Sequence, residues 1–460
     1  MATLAIEIND DGLVLANASE VLTVEPGVAL VDGGAIMTGT AARAQARLKP
    51  RQASNRYWSE LNLNAGAAIE GGHSGAELAY AQLTSLWQRF GREGDEVVLI
   101  VPGYYRAEQL GLLLGLAQEC GMPVRAMVDV AAAASDRPYP ARELLYVDAG
   151  LHRVSVTRLE QGEEVSALSE QGLDATGLMS LKDALAKRLA EIFVLATRFD
   201  PLHRAETEQG LYDRLDDWLH LLREQDVAEL SLPHGDDAVV VEVMRDQWLG
   251  VASGFYRAIV QLIAQTRKPG APLVVQLSDR LARLPGLTGE LARLDAAEIV
   301  SQPAGHAALA ALQAIDGLPA RGGQVKLLRH LAWRGESVAP RAAVASREAE
   351  RPARPAAAGA THVVYRGVVY AIDSEGLLIG RSRADNRRAI LIEGQTGVSR
   401  SHCELSLRDG EMTLRDLSSY GTFVNERRVA GEETLHPADV VRIGSPGAEL
   451  QVVTMERADG

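Results

Sequence analysis

The apolar positions of this chain fall into two kinds of run. Short runs rich in β-branched residues and closed by turn residues predict strands: TLAIEIND (3–10), EVVLIVP (96–102), RELLYVDAG (142–150), RVSVTRLEQG (153–162) and APLVVQLSD (271–279). Longer stretches with apolar residues every three or four positions predict helices: AELAYAQLTSLWQRFG (76–91), RAEQLGLLLGLAQECG (106–121), LMSLKDALAKRLAEIFVLATRF (178–199) and RDQWLGVASGFYRAIVQLIAQT (245–266). Strands alternating with helices predict an α/β architecture for the first 335 residues. Within it, LLYVDAGLHRVSVTRLEQG reads as a hairpin turning at AGLH.

The pattern then breaks. Residues 336–360, ESVAPRAAVASREAERPARPAAAGA, hold almost no large apolar side chain and read as a linker. Beyond it the runs shorten again: EGLLIGRS, RAILIEG, HCELSLRDGEMTLRDL, GTFVNERRV and DVVRIGS, with turn signals every 8 to 12 residues and an Asp-Gly hairpin turn at RDGE. This spacing predicts an all-β sandwich over 361–460. The domain plan is therefore 1–335, a 336–360 linker, and 361–460.

Composition narrows the function classes. At 460 residues, two or three domains are expected, and 47 % hydrophobic residues suffice for large cores. A formal charge of −14 disfavours nucleic acid as a partner. The longest compact apolar stretch, LGLLLGLA, is too short to span a bilayer, so no membrane insertion is expected. Cys120 and Cys403 match no zinc or redox spacing, which points to a reducing, cytoplasmic compartment. The N-terminal MATLAIEINDDG lacks the pattern of a secretory signal.

The chemistry concentrates in GVSRSHCEL (397–405). Ser399 and His402 invite a nucleophile-and-base reading, but no Gly-x-Ser-x-Gly elbow accompanies them. Zinc needs more ligands than His402 and Cys403 offer, and adjacent strand residues point to opposite faces. A phosphate clamp needs only an arginine fork and fixed hydroxyls. Three clusters supply these in order: Gly380-Arg381, Ser399-Arg400-Ser401-His402, and Ser418-Ser419-Tyr420-Gly421-Thr422, followed by Val424-Asn425 and LHPADVVRIGS. This ordered set resembles the forkhead-associated (FHA) domain, from residue 361 to about 457. The resemblance implies phosphothreonine binding through Arg381 and Ser399, with Ser419 on the next loop and Arg400 near the peptide. It implies a structural role for His402, and tight turns at Gly380 and Gly421. Tyr420 stands where the family usually has an asparagine that contacts the peptide backbone.

The first segment carries a more diffuse resemblance. VVLIVPGYYRAEQLGLLLGLAQECGMPVRAMVDVAAAAS (97–135) reads as a strand, a helix and a second strand closing with alanines. It is similar to the middle of the nucleotide-binding domain of DnaK-type heat-shock chaperones, in the actin-like superfamily. LAIEINDDGLVLA, GTAARAQARLKP, LYVDAGLHRVSV, LSDRLARLPGL and SQPAGHAALAAL follow the same family order over residues 1–335. The implied fold is a two-lobed α/β domain; an unrelated doubly wound domain is the alternative. The implied nucleotide chemistry does not carry over. Glu7, Asn9, Asp10 and Asp11 replace the glycine and hydroxyls of the first phosphate hairpin, and an aspartate at ~4 Å from a phosphate costs several kcal/mol. The lysine expected after RLKP is absent. Asp148 and Gly150 persist in the second hairpin without its glycine-rich turn. Asp279 and Arg280 fill the adenosine turn, and Asp129 stands where a glutamate would position water. Asp148 and Asp129 retain the capacity to bind magnesium. Three functions follow: a pseudo-ATPase adaptor joined to a phosphothreonine reader, a divergent chaperone-type ATPase controlled through its FHA domain, or a structural subunit whose FHA domain only packs. The expectation adopted is the first, with no catalytic residue, no metal, ATP and magnesium disfavoured, and protein partners for both domains.

Overall fold

The computed structural model describes residues 2–64, 72–235, 237–268, 270–314, 317–318, 325–338, 361–365, 368–382, 388–392, 398–408, 411–418, 421–425, 427–429, 431–437, 439–443 and 448–454. The chain divides into two compact units, residues 1–343 and 344–460.

The first unit is built on two mixed six-stranded sheets that share one order over five of their strands. In the first sheet, Thr3–Glu7 runs antiparallel to Leu13–Ala16, which runs antiparallel to Val21–Glu25. On its other side Thr3–Glu7 lies parallel to Glu96–Val101, and that strand parallel to Val124–Asp129. In the second sheet, Glu143–Ala149 is antiparallel to Arg153–Gln161, which is antiparallel to Glu164–Asp174. On its other side Glu143–Ala149 lies parallel to Leu273–Leu277, and that strand parallel to Ala297–Ser301. Each sheet thus contains a meander of three strands followed by two parallel ones, and a short sixth strand joins opposite ends of the two: Leu327–Leu328 beside Val124–Asp129 in the first, His330–Ala332 beside Glu164–Asp174 in the second. The central parallel strands are near-continuous apolar runs, as burial on both faces requires; Val97 to Val101 are all buried.

The two sheets share a core. Ala5, Val98, Ile100 and Val128 of the first pack with Leu144, Tyr146 and Val274 of the second, and with alanines of the helices Val130–Ala134 and His306–Gln313. Each sheet also carries an insertion. In the first it is a small sheet of Ala29–Asp32, Ala35–Thr38 and Ala53–Ser54 with the helix Gly39–Arg43. In the second, the helices Leu178–Thr197, Ala205–Glu224 and Arg245–Thr266 enclose one face of the hairpin Val227–His234/Asp237–Met244.

The expected helices form as Gly75–Phe90, Ala107–Glu119, Leu178–Thr197 and Arg245–Thr266. The first has a complete capping box: Ser74 Oγ accepts from the Glu77 amide at 3.2 Å and Glu77 Oε2 from the Ser74 amide at 2.7 Å. One expectation is corrected. The alanines after Asp129 do not extend the strand; Asp129 Oδ1 accepts from the amides of Ala131 and Ala132, caps them, and starts a helix.

The second unit is all β. Six strands order as Val368–Ala371, His362–Tyr365, Ala448–Val453, Val440–Ile443, Thr422–Val424 and Arg427–Arg428. Five order as Ala389–Leu391, Leu377–Gly380, Cys403–Arg408, Glu411–Asp416 and Glu432–Leu435. Alternate side chains such as Ala448, Leu450 and Val452 turn into a core with Ile379, Leu405, Leu414 and Val441. Asp409 and Gly410, the predicted hairpin turn, lie outside the described residues, but the strands on either side pair antiparallel. His402 and Cys403, expected on opposite faces, are both fully buried, because the strand begins only at Cys403.

Candidate functional sites

In the second unit, three loop ends are drawn together by backbone contacts. The strand Leu377–Gly380 stops where Gly380 lies against the next loop; a Cβ there would stand 2.1 Å from the Arg400 carbonyl oxygen. Only glycine permits that approach. The Arg381 amide donates to the Ser399 carbonyl at 3.1 Å, and the Ser382 amide to the Arg400 carbonyl at 3.3 Å. Arg381, Ser399 and Arg400 therefore occupy adjoining loops. Arg381 and Arg400 are exposed and pair with no carboxylate among the described residues; Ser399 is half-buried.

His402 joins this pair of loops to the third. The Ser399 amide donates to His402 Nδ1 at 3.0 Å, so the ring proton sits on Nε2, which donates to the Gly421 carbonyl at 3.1 Å. Burial holds the ring below the usual imidazole pKa, although the Gly421 contact works the other way. A neutral, fully buried ring with both nitrogens committed braces the loops and offers no free base. The third loop is tied from within. Asp416 Oδ1 accepts from the Ser418 amide at 3.0 Å and from Thr422 Oγ1 at 2.7 Å, and Ser418 Oγ accepts from the Gly421 amide at 2.7 Å. Gly421 has φ +95, and a Cβ there would lie 2.8 Å from Arg428 Nε. Asn425 then fixes the strand end: its Nδ2 donates to Asp439 Oδ1 at 2.8 Å, and its Oδ1 accepts from the Val440 amide. Ser419 and Tyr420 lie outside the described residues. Asp416 escaped the sequence reading, and Ser418 stood in the third cluster without an assigned role, since nothing local marks a short polar side chain as a loop tie.

In the first unit, the two hairpins singled out from sequence meet at one place, and the unit's own side chains fill it. Asp10, just past the first strand, extends its carboxylate into the turn of the second hairpin. Asp10 Oδ1 accepts from the Leu151 amide at 2.7 Å, and the His152 amide adds a second donor. A Cβ on Gly150 would stand 2.0 Å from Asp10 Oδ1, so only glycine admits the carboxylate. Asp10 Oδ2 is buried with no hydrogen-bond partner among the described residues. Burial raises the Asp10 pKa to about 6 against the opposing pull of the Leu151 amide.

Arg280 fills the neighbouring space. Its Nη2 donates to Glu7 Oε1 at 2.7 Å and its Nη1 to Asp148 Oδ1 at 3.3 Å, all three side chains being at most 10 % exposed. Burial disfavours the guanidinium charge, but Glu7, Asp148 and Asp279 together outweigh it and keep Arg280 protonated. Burial raises the Glu7 pKa while Arg280 opposes the shift. Asn9 completes the group: its Nδ2 donates to Asp148 Oδ2 at 3.2 Å, and its Oδ1 accepts from the Asp11 amide at 2.9 Å. Asp11 pairs with Arg283 at 2.7 Å and Lys182 at 3.6 Å; these cations overcome its burial and lower its pKa to about 2. Asp129 stands apart as the helix cap, its pKa raised by burial to about 6. The structure thus brings Glu7, Asn9, Asp10, Asp11, Asp148, Gly150 and Arg280 together. Arg283 and Lys182 are members that sequence reasoning missed, having no motif of their own.

A family model, the FHA domain, matches residues 377–444, and no curated protein matches the chain. The match supports the forkhead-associated reading of the second unit, a class of domain that recognises phosphothreonine-containing proteins. It does not extend to the first unit, for which the structure gives a mixed α/β architecture. No helix among the described residues is long and apolar enough to cross a membrane.

Proposed function

We propose that this protein is a phosphothreonine-dependent adaptor or scaffold. The observation that carries the proposal is the FHA match over adjoining loops that bear Arg381, Ser399 and Arg400, with His402 bracing the loops. Phosphate would be held by the Arg381 fork and the Ser399 hydroxyl. On sequence grounds Ser419 is assigned beside them at the phosphate, and Arg400 and Tyr420 to the peptide side. A cytoplasmic place of action, with free Cys120 and Cys403, belongs to the same proposal.

The first unit is proposed to be an actin-like shell that binds proteins and does not turn over ATP. Its repeated strand order in two lobes supports the fold assignment. The filled hairpin junction supports the loss of nucleotide chemistry. The backbone donors that would serve a phosphate are taken by the Asp10 carboxylate, and Arg280 occupies the turn assigned to adenosine. A bound phosphate would have to displace Asp10, the carboxylate of this group with no ion pair among the described residues. At ~4 Å and an effective dielectric near 20, each unit of like charge costs about 4 kcal/mol. The residues present therefore do not fit ATP with magnesium. Calorimetry of the full chain with ATP and magnesium is expected to show no binding at micromolar nucleotide. Binding with turnover that Asp148→Ala abolishes would replace this reading with that of a divergent chaperone-type ATPase.

A further inference from the structure

The hairpin Val227–His234/Asp237–Met244 is a two-stranded sheet with one face in the core and the other open. Ala228, Leu230, Leu232, Val241 and Val243 are buried against the surrounding helices. The outward residues are set by the register: Val227 opposite Met244, Glu229 opposite Glu242, and Ser231 opposite Val240. Val227 is 48 % exposed, Met244 53 % and Val240 48 %. These are large apolar side chains on a surface that gains nothing from them in the isolated chain. Between them stands a pair of carboxylates directly across the ladder, an arrangement that weakens a sheet. Neither Glu229 nor Glu242 has a cationic partner among the described residues, and the two strands pair only with each other there.

We infer that this outward face docks a partner protein presenting a lysine or arginine flanked by apolar side chains on an extended segment. The cation settles between Glu229 and Glu242, and the flanking side chains cover Val227 with Met244 on one side and Val240 on the other. Charge chooses among occupants. A second copy of this chain meeting the face about a two-fold axis would bring four carboxylates together, so the surface selects against self-association. A basic partner also suits a chain of net charge −14. The inference does not depend on the phosphothreonine reading.

The full chain is titrated by fluorescence anisotropy with a labelled peptide of alternating valine and lysine. Two controls run beside it, one with glutamate for lysine and one with glycine for valine. The valine–lysine peptide binds, and both controls bind at least about ten-fold more weakly, since each lacks one half of the match. Glu229→Gln with Glu242→Gln weakens the valine–lysine peptide about five- to ten-fold. The same double variant melts at a higher temperature than the wild type because the like-charge pair is gone, which separates lost binding from lost folding. Glu229→Lys with Glu242→Lys reverses the preference toward the valine–glutamate peptide. Equal affinity of wild type and the glutamine variant overturns the inference. So does a glycine–lysine peptide that binds as well as the valine–lysine one, or sedimentation showing that this face pairs two copies of the chain.

Discussion

Arg280 is the keystone of the filled junction, and replacing it with methionine tests how the first unit is held. The guanidinium lies 2.7 Å from Glu7 and 3.3 Å from Asp148, with its own side chain only 5 % exposed. Arg280→Met keeps the long aliphatic stem but leaves two carboxylates buried without their cation. Removing one member of a buried ion pair costs about 3–5 kcal/mol, a large part of the ~5–15 kcal/mol that typically holds a domain. The assay is urea unfolding followed by tryptophan fluorescence. All five tryptophans, Trp58, Trp87, Trp218, Trp248 and Trp333, belong to the first unit, so the signal reports that unit alone. With a slope of about 3 kcal/mol/M, the midpoint falls by about 1 to 1.7 M. The triple variant Glu7→Gln, Asp148→Asn, Arg280→Met recovers most of the loss, because discharging a buried triad is close to neutral. An Arg280→Met midpoint indistinguishable from the wild type would refute the reasoning. So would a triple variant no better than the single one.

Asp10→Asn keeps an acceptor for the Leu151 amide and removes a buried charge, so it stabilises the first unit at neutral pH. The native Asp10 pKa of about 6 lies above the unfolded value near 3.8, so the native state binds more protons between them, and the wild type loses stability as pH rises through 6. The advantage of the variant therefore shrinks by about 1 kcal/mol or more from pH 7.5 to pH 5; a constant difference across that range would contradict the assigned cause. His402→Ala leaves the Ser399 amide and the Gly421 carbonyl without their ring partner and opens a cavity in the second unit, at a cost of about 2–4 kcal/mol. Hydrogen exchange should rise in the strands from Leu377 to Ile443, while the tryptophan-detected transition of the first unit stays where it was.

Much of the fold was legible in the sequence because its signals are local. The buried parallel strands announce themselves as unbroken apolar runs, as in EVVLIV, and the tail declares a sandwich through its alternation and turn spacing. The loops proposed to hold the phosphate were legible for the same reason: Gly380-Arg381, Ser399 to His402, and Ser418 to Thr422 are each a few residues long. Helix Ala205–Glu224 was legible in principle, since Leu211, Leu215, Trp218 and Leu222 repeat at helical spacing. What sequence could not reveal is the filling of the first unit's junction. Arg280 and Glu7 are 273 residues apart, and Asp10 and Leu151 are 141 apart, so neither pairing leaves a local mark. Sequence showed only that the residue types expected from the chaperone resemblance were missing. Likewise, an Asp before a valine and four alanines gives no periodic clue that it will cap a helix rather than continue a strand.

The central claim is that the second unit clamps a phosphothreonine. The most direct measurement is a titration of the full chain with a phosphothreonine peptide library, each member paired with its unphosphorylated twin, and repeated with Arg381→Ala. Charge-assisted hydrogen bonds contribute about 1.5–3 kcal/mol each, so the predicted result is phosphate-dependent binding that weakens on the order of 10- to 100-fold in Arg381→Ala. Phosphoserine in place of phosphothreonine should also bind less well. The contradicting result is a library in which no phosphorylated member exceeds its unphosphorylated twin. An Arg381→Ala variant that binds as tightly as the wild type would contradict the account equally.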